Sequence, residues 1–319
     1  MKPTLSIPAL LLILPGSVLM AEPVVDLTDI SYDGGALPDG QTAITAAVQI
    51  LLDRAGVSPS VIDGYAGGMS TSAISGFELR EGLPVDGEMD QDVWDRLGGP
   101  DADAYLQDYT ITADDMDVRG SPLPDDYSDL AELDALPFTS VAEAIAEQFH
   151  MDQEFLEGMN PAASFVEGET IVVVDPGEDK SGEVARIEIR KADQRLVAFD
   201  EDDAIISNYP VAVGSDQTPS PEGTVEVEAV AVGPTYTYQP DVNFQQGENN
   251  EVLTLPPGPN GPVGLVWIDL SKPTYGIHGT PEPASLFSAA SHGCVRMTNW
   301  DVMELAEMTW QGVTVEFVE

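Results

Sequence analysis

The sequence predicts a multidomain chain: a mainly-β C-terminal domain, sandwich or barrel, preceded by a small three-helix module and a small α+β module. Three observations carry this. The 319 residues exceed one ordinary domain. Apolar residues recur at helical spacing in the first half, then alternate with period two from Ala185 onward. Runs rich in Asp, Pro and Gly separate the periodic stretches.

The elements follow in order. Lys2, the apolar run Leu10-Leu11-Leu12-Ile13-Leu14 and the site Leu19-Met20-Ala21 predict an export signal over residues 1–21. The run is short for a membrane span, although an uncleaved anchor stays open. With no cysteine near position 21, a lipoprotein anchor is excluded, and no later segment is long and apolar enough to cross a bilayer. Export to the periplasm or cell envelope is expected. Residues 22–40 read as a linker. Ile44, Val48, Leu51 and Leu52 predict a helix; Ser72–Arg80 and Gln91–Leu97 predict two more, joined by Asp-Gly turns, giving a module over 41–99. Residues 100–136 are Asp- and Pro-rich and read as an acidic linker. Over 137–176, Val141, Ala144, Ile145 and Phe149 form one helical face. Phe155 and Leu156 start a second helix that Asn160-Pro161 breaks, and Gly168–Val174 closes with a strand. His150 belongs to this segment and reads as structural.

Residues 185–319 hold strand after strand: Ile187 and Ile189, Leu196 to Phe199, Ile205 to Val213, Val225 to Val230, Leu265–Ile268 and Tyr275–His278. Residues 233–262 lack periodicity, and so long a loop in a compact domain is usually functional, often a lid. Thr298 with Asp301 predicts a capping box for a helix to about Met308, ahead of a last strand, Val313–Phe317.

Acids outnumber bases 56 to 12, a net charge of −44, which argues against nucleic acid or anionic lipid as partners. The acids are scattered, with net −31 over 22–184 and −14 over 185–319. With four lysines in all, this is the surface of a protein adapted to high salt, where screening removes self-repulsion.

The chain has one cysteine, Cys294, within Ser291-His292-Gly293-Cys294-Val295-Arg296, and two of its three histidines, His278 and His292, lie close by in sequence. A lone thiol cannot form an internal disulfide, and in an oxidising compartment it is a liability unless it is used. A nucleophilic thiolate needs a neighbouring base or cation, which histidine supplies. A buried inert cysteine is the bland alternative. A structural zinc site wants four ligands, and no second cysteine or companion carboxylate stands in the motif, so no metal and no cofactor are expected.

The blocks Ile277-His278-Gly279-Thr280-Pro281, Ser291–Met297 and Thr298-Asn299-Trp300-Asp301 resemble the L,D-transpeptidase catalytic domain (YkuD-like). So do Thr218-Pro219-x-Pro221-x-Gly223-Thr224 and Gly258–Gly264, and the resemblance runs through 185–319. It implies an enzyme of peptidoglycan cross-linking, acting on stem tetrapeptides with release of D-alanine. By resemblance, Cys294 is the nucleophile, His278 the general base, and the Gly279 carbonyl the group that orients it. Gly293 lets the chain turn sharply, and its N–H with that of Cys294 is the candidate oxyanion hole. His292 shapes the pocket and Ser291 anchors the loop. Arg296 either holds a substrate carboxylate or pairs with a nearby acid. Tyr236, Tyr238 and Trp267 line the donor groove or belong to the core. Hydrolysis of the same bond, as an L,D-carboxypeptidase, and a non-catalytic wall-binding protein stay open as alternatives. Residues 41–99 resemble a peptidoglycan-binding module, with Glu78 where that family usually has glutamine. Residues 137–176 resemble the latter part of a LysM-like module, without an obvious first strand. The partners implied are peptidoglycan stem peptides, and a monomer is expected.

Overall fold

A computed structural model of the chain describes residues 24–215, 218–242, 244–288, 291 and 293–319. The export signal expected over 1–21 lies outside the described residues. No described helix is long and apolar enough to cross a membrane.

The first half contains α1 (Ala43–Arg54), α2 (Gly68–Glu81), α3 (Gln91–Arg96), β1 (Leu106–Thr110), the one-turn α4 (Tyr127–Leu130), α5 (Val141–Gln148), α6 (Gln153–Met159) and β2 (Thr170–Val174). Local chemistry starts these helices. Thr42, Asp90, Ser140 and Asp152 each accept a backbone N–H from the first turn they precede. Gly82 ends α2 at φ +69°, a left-handed cap that glycine adopts without strain. β1 and β2 pair antiparallel, from Leu106 opposite Val174 to Thr110 opposite Thr170.

Three expectations are corrected here. The supposed acidic linker over 100–136 contains a strand, β1, which pairs with β2 of the 137–176 segment. Its residues, Leu-Gln-Asp-Tyr-Thr, are mostly exposed on this two-stranded edge, so no apolar alternation marks them. The helical module and the α+β module are not separate beads. One apolar cluster runs from Val25 and Leu27 through Ile50, Leu52, Phe77 and Trp94 to Ile145, Phe155, Ile171 and Val173. Of the segment expected as a 22–40 linker, the described residues 24–40 hold no helix or strand, yet bury Val25 and Leu27 in that cluster.

The second half holds β3 (Arg186–Arg190), β4 (Arg195–Phe199), β5 (Ile205–Pro210), β6 (Gly223–Val232), β7 (Tyr236–Tyr238), β8 (Leu253–Leu255), β9 (Val266–Leu270), β10 (Gly276–His278), β11 (Val295–Arg296), α7 (Asn299–Glu307) and β12 (Thr314–Val318). Eight strands form one sheet in the order β11-β10-β9-β6-β12-β3-β4-β5. The chain just beyond β5 then returns to the other edge: Ala212 and Arg296 exchange backbone hydrogen bonds of 3.0 and 2.9 Å, and Gly214 bridges to Ser291. The sheet thereby curls nearly to a ring, which protects its edges as a barrel does. Its core gathers Ile187, Leu196, Ile268, Ile277, Val295 and Val315 with Val302 and Leu305 from α7. The capping box is half present: Thr298 Oγ1 accepts the Asp301 N–H at 3.1 Å, but the Asp301 carboxylate turns away to accept from Ser58 Oγ at 3.0 Å.

The loop over 233–262 carries the hairpin β7–β8, and the rest of the supposed acidic linker holds it. Leu130 and Leu136 pack with Tyr238 and Leu255 in a small third core, flanked by Leu123, Tyr127 and Leu133. Polar bonds reinforce the contact: Gln246 Nε2 donates to Asp125 O at 2.7 Å, Asn249 Nδ2 to Asp126 Oδ1 at 3.0 Å, and Leu136 N to Pro257 O at 2.9 Å. Residues 120–136 are thus a strap.

The two halves meet at a buried guanidinium. Arg195, 2% exposed, donates to Asn208 Oδ1 (2.7 Å), Asn208 O (2.7 Å) and Ser58 O (3.0 Å). Arg195→Ala should therefore destabilise the chain by about 3 kcal/mol or more, the loss of hydrogen bonds to a charged group together with packing. Urea unfolding of the intact chain checks it, and a change under about 0.5 kcal/mol, the range of an ordinary surface substitution, contradicts it.

Candidate active site

β10 and β11 run parallel, with Ile277 opposite Val295 and His278 opposite Arg296. Cys294 immediately precedes β11, so this pairing brings the thiol and the imidazole to one end of the sheet. Both open onto a cleft of about 600 Å³, walled by Trp267, Tyr275 and Arg296 from the sheet side and by Tyr236 and Phe244 from the lid. Tyr127 of the strap completes the wall. Its ring meets those of Tyr236 and Phe244 edge-on at 6.3 and 6.1 Å.

His278 is 6% exposed and stacks on Trp267, with ring centroids 5.5 Å apart and planes 16° from parallel. Its Nδ1 lies 2.7 Å from Gly279 O. A carbonyl only accepts, so Nδ1 carries the proton. Burial pushes the imidazole down to about 4, and the nearby Arg296 guanidinium adds to this against the Gly279 hydrogen bond. At neutral pH the ring is uncharged, with its lone pair on Nε2. Cys294 is partly exposed, with Sγ 3.7 Å from Thr274 O. Burial pushes the thiol up, opposed by a hydrogen bond from the Gly276 backbone. The pair at rest is therefore thiol and imidazole, not thiolate and imidazolium.

The cysteine loop is pinned from several sides. Ser291 donates its N–H to Val213 O at 2.9 Å and its hydroxyl to Cys294 O, and accepts the Gly293 N–H at 3.1 Å. Thr218 Oγ1 donates to Ser291 O at 3.2 Å, and Ser220 Oγ to Gly293 O at 2.9 Å. Gly293 sits at φ +113°, where a Cβ would meet Tyr275 Cε1 at 2.8 Å, so only glycine fits. Its N–H is committed to Ser291 Oγ, whereas the N–H of Cys294 meets no acceptor among the described residues. Arg296 is half-buried on β11 and lines the cleft, in the field of Glu282. Trp267 donates from Nε1 to Asp269 Oδ1 at 3.1 Å. Tyr238 is fully buried in the third core, and Tyr236 lines the cleft. His292 lies outside the described residues.

Two features of the site escaped the sequence. Tyr127 comes from a segment expected as linker; the recurrence of Leu123, Tyr127, Leu130, Leu133 and Leu136 at spacings of three and four was the available signal. Asn299, beyond its place in the motif, sits behind the histidine turn. Its Oδ1 accepts the Leu265 N–H at 3.1 Å, and a Cβ on Gly264 or Gly279 would lie 2.1 or 2.3 Å from it.

Against known proteins, the family model for the L,D-transpeptidase catalytic domain matches residues 184–316, and that described as "Putative peptidoglycan binding domain" matches 42–97. The protein named "Putative L,D-transpeptidase YkuD" from Bacillus licheniformis is 32% identical over 176 residues, covering 54% of this chain and 90% of the relative. Its Bacillus subtilis namesake is 30% identical over 174 residues, with the same coverage. "Probable L,D-transpeptidase YbiS" of Escherichia coli is 26% identical, covering 57% of this chain and 71% of that protein. Among solved structures, an L,D-transpeptidase from Mycobacterium smegmatis matches with TM-score 0.36 and 15% identity, over 47% of this chain and 66% of that one. Residues 123–326 of the Xylanimonas cellulosilytica L,D-transpeptidase match with TM-score 0.39 and 15% identity, over 91% of this chain and all of that one. With its single thiol and a histidine opening on one cleft, and with a relative matched over nine-tenths of its length, the chain belongs to the L,D-transpeptidase family, the cysteine-dependent acyltransferases.

Proposed function

We propose that the chain cross-links peptidoglycan through a thioester on Cys294, with His278 as the proton carrier. The observation that supports it best is the tautomer of His278: Nδ1–H is spent on Gly279 O, so Nε2 is the lone pair available to the cleft. Nε2 takes the thiol proton as Sγ attacks the carbonyl between the third residue of a stem tetrapeptide and its terminal D-alanine. The C–N bond breaks, and the imidazolium returns the proton to the leaving amine. An acceptor amine then attacks the thioester, gives a proton to His278, forms the new amide and releases the thiol. The Cys294 N–H stabilises the oxyanion, and that of Gly293 joins it when the Ser291 hydrogen bond is shared. Arg296, beside the histidine on the neighbouring strand, is suited to a carboxylate of the donor, and Tyr236 and Trp267 to its aliphatic stem.

The first half serves the same substrate. β1, α5, α6 and β2 follow one another as strand–helix–helix–strand, apart from the strap carrying α4, which supports a LysM-like reading over about 105–176 in place of 137–176. The helical module over 41–99 is the glycan-binding one. Its Glu78 is 2% exposed and accepts the N–H groups of Asp86 and Gly87, both at 2.9 Å, so it pins a turn and takes no part in glycan contact. The enzyme acts in the cell envelope.

Incubation with a purified disaccharide-tetrapeptide, followed by mass spectrometry, tests the reaction. A cross-linked dimer is expected, and tripeptide alone would make the enzyme a hydrolase. Cys294→Ala should abolish turnover and His278→Ala should cost nearly as much, since nucleophile and base act as a unit. Turnover surviving in folded Cys294→Ala removes the thioester.

The pH dependence carries a sign. Because the imidazole is held down at about 4, its base form is lost only as pH falls through that value. The acylation rate should therefore hold from pH 7 to about 5 and fall near 4; an acid limb near the ordinary histidine value of about 6.5 contradicts the neutral-pair mechanism. A carbapenem, whose strained carbonyl enters the same oxyanion site, should leave one adduct per chain by intact mass, absent in Cys294→Ala.

A further inference from the structure

We infer that Glu147, contributed by the α+β module, is a positioning residue for the imidazole of His278, acting through the side chain of Asn299. The inference rests on the reading of His278 as the proton carrier.

Asn299 is the first residue of α7, and every polar atom of its side chain is engaged. Oδ1 accepts from Leu265 N at 3.1 Å. Nδ2 donates to Pro259 O at 3.1 Å and to the Glu147 carboxyl, at 3.0 Å from Oε2 and 3.3 Å from Oε1. The amide therefore cannot flip without setting donor against donor at Leu265 and acceptor against acceptor at Glu147 and Pro259. Held in this sense, Oδ1 rests against the backbone of Gly279, where even a methyl group would come within 2.3 Å. Gly279 O is the acceptor that fixes the Nδ1–H tautomer of His278. Three contacts thus join α5 to the reacting ring, through Glu147, Asn299, Gly279 and His278 in series.

Without Glu147, one Nδ2 hydrogen loses its acceptor in a buried place, and only Pro259 O and the Leu265 N–H are left to hold the amide. Asn299 is then less firmly held, and Gly279 with it. Misplacement of a catalytic group by about 1 Å can cost about a hundredfold in rate. Burial pushes the Glu147 carboxyl up to about 8, against the opposing Asn299 hydrogen bond. At pH 7 it is mainly a neutral acid, and what Asn299 needs from it is an acceptor oxygen. Glutamine supplies the same oxygen; an apolar side chain of similar length does not.

The test uses the full-length chain with Glu147→Gln and Glu147→Met, and follows acylation of Cys294 by a carbapenem with intact-mass kinetics at pH 7. Glu147→Met should slow the saturating acylation rate by about 10- to 100-fold and move half-saturation by less than about threefold. Glu147→Gln should stay within about threefold of the parent on both. The downfield proton signal of His278 Nδ1–H should shift or broaden in Glu147→Met and stay in place in Glu147→Gln. A folded Glu147→Met with the parent rate overturns the inference. So does a Glu147→Gln as slow as Glu147→Met, since the role would then be charge or packing. Should Glu147→Met fail to fold, Glu147→Thr, too short to reach Asn299, replaces it under the same criteria. If the parent chain takes no adduct, the acyl-transfer reading itself falls, an outcome distinct from equal rates in all variants.

Discussion

A guanidinium removed from water is costly, and the docking of the two halves is built around satisfying the one on Arg195. Its donors go to Asn208 on β5 and to the Ser58 carbonyl. Asn208 N donates to Gly56 O and Ser58 N donates to Asn208 O, so the turn after α1 is stitched to the sheet residue by residue. Packing leaves one register: a Cβ on Gly76 of α2 would lie 2.7 Å from Asn208 Nδ2. The seam continues along α7, where Ser58 bonds Asp301 and the His150 ring stacks on Trp300 at 5.3 Å. His150 is in turn held by Asp53 Oδ2 at 2.7 Å. The position of the first half therefore fixes α7, and α7 begins at the residue that backs the histidine turn.

The electrostatics of the cleft differ from those of the chain as a whole. A net charge of −44 surrounds a site whose charged lining, among the described residues, is Arg296 and Glu282. An ion pair of thiolate and imidazolium would need more solvation than this half-closed cleft supplies, and both groups respond by staying neutral. The anionic surface repels a carboxylate-bearing donor at long range, and salt screens this beyond about 8 Å at physiological strength. Inside that distance the described cations are Arg296, which lines the cleft, and Lys272, whose Nζ lies 5.0 Å from the centroid of the Tyr275 ring. Partial burial of Arg296 keeps its field less screened by salt than that of an exposed cation.

Much of this was legible in the sequence, and the failures have a common cause. The helices beginning after Thr42 and Ser140 were legible as apolar periodicity and the one after Thr298 by its cap, because each signal is local. The curled sheet was legible as alternation, and the thiol and histidine through the scarcity of both. β1 and the strap were read as linker because their signal is not local. β1 becomes a strand by pairing with β2, sixty residues away in sequence at the closest register, Thr110 with Thr170, and not by its own composition. The strap's leucines stand in an acidic background and find their core only against β7 and β8. Glu147 carries no local mark in the sequence; it is 9% exposed and meets Asn299 of α7.

The strap and the seam together change what the catalytic sheet can be said to own. Its thiol, imidazole and anchoring serines come from β10, β11 and the loops beside them, all within the second half. The wall opposite is not. Tyr127 reaches the cleft only because the strap crosses to the lid, and the lid hairpin is a two-stranded ribbon that could not hold a fixed shape alone. Its small core draws Leu130 and Leu136 from the strap and Tyr238 and Leu255 from the ribbon, so neither partner has a core without the other. The strap in turn leads directly into α5, which carries Glu147. A displacement of the α+β module would therefore reach the cleft by two routes, through the strap to its Tyr127 wall and through Asn299 to the backbone beside the His278 ring. The two halves are joined by these contacts, not merely by the chain between them.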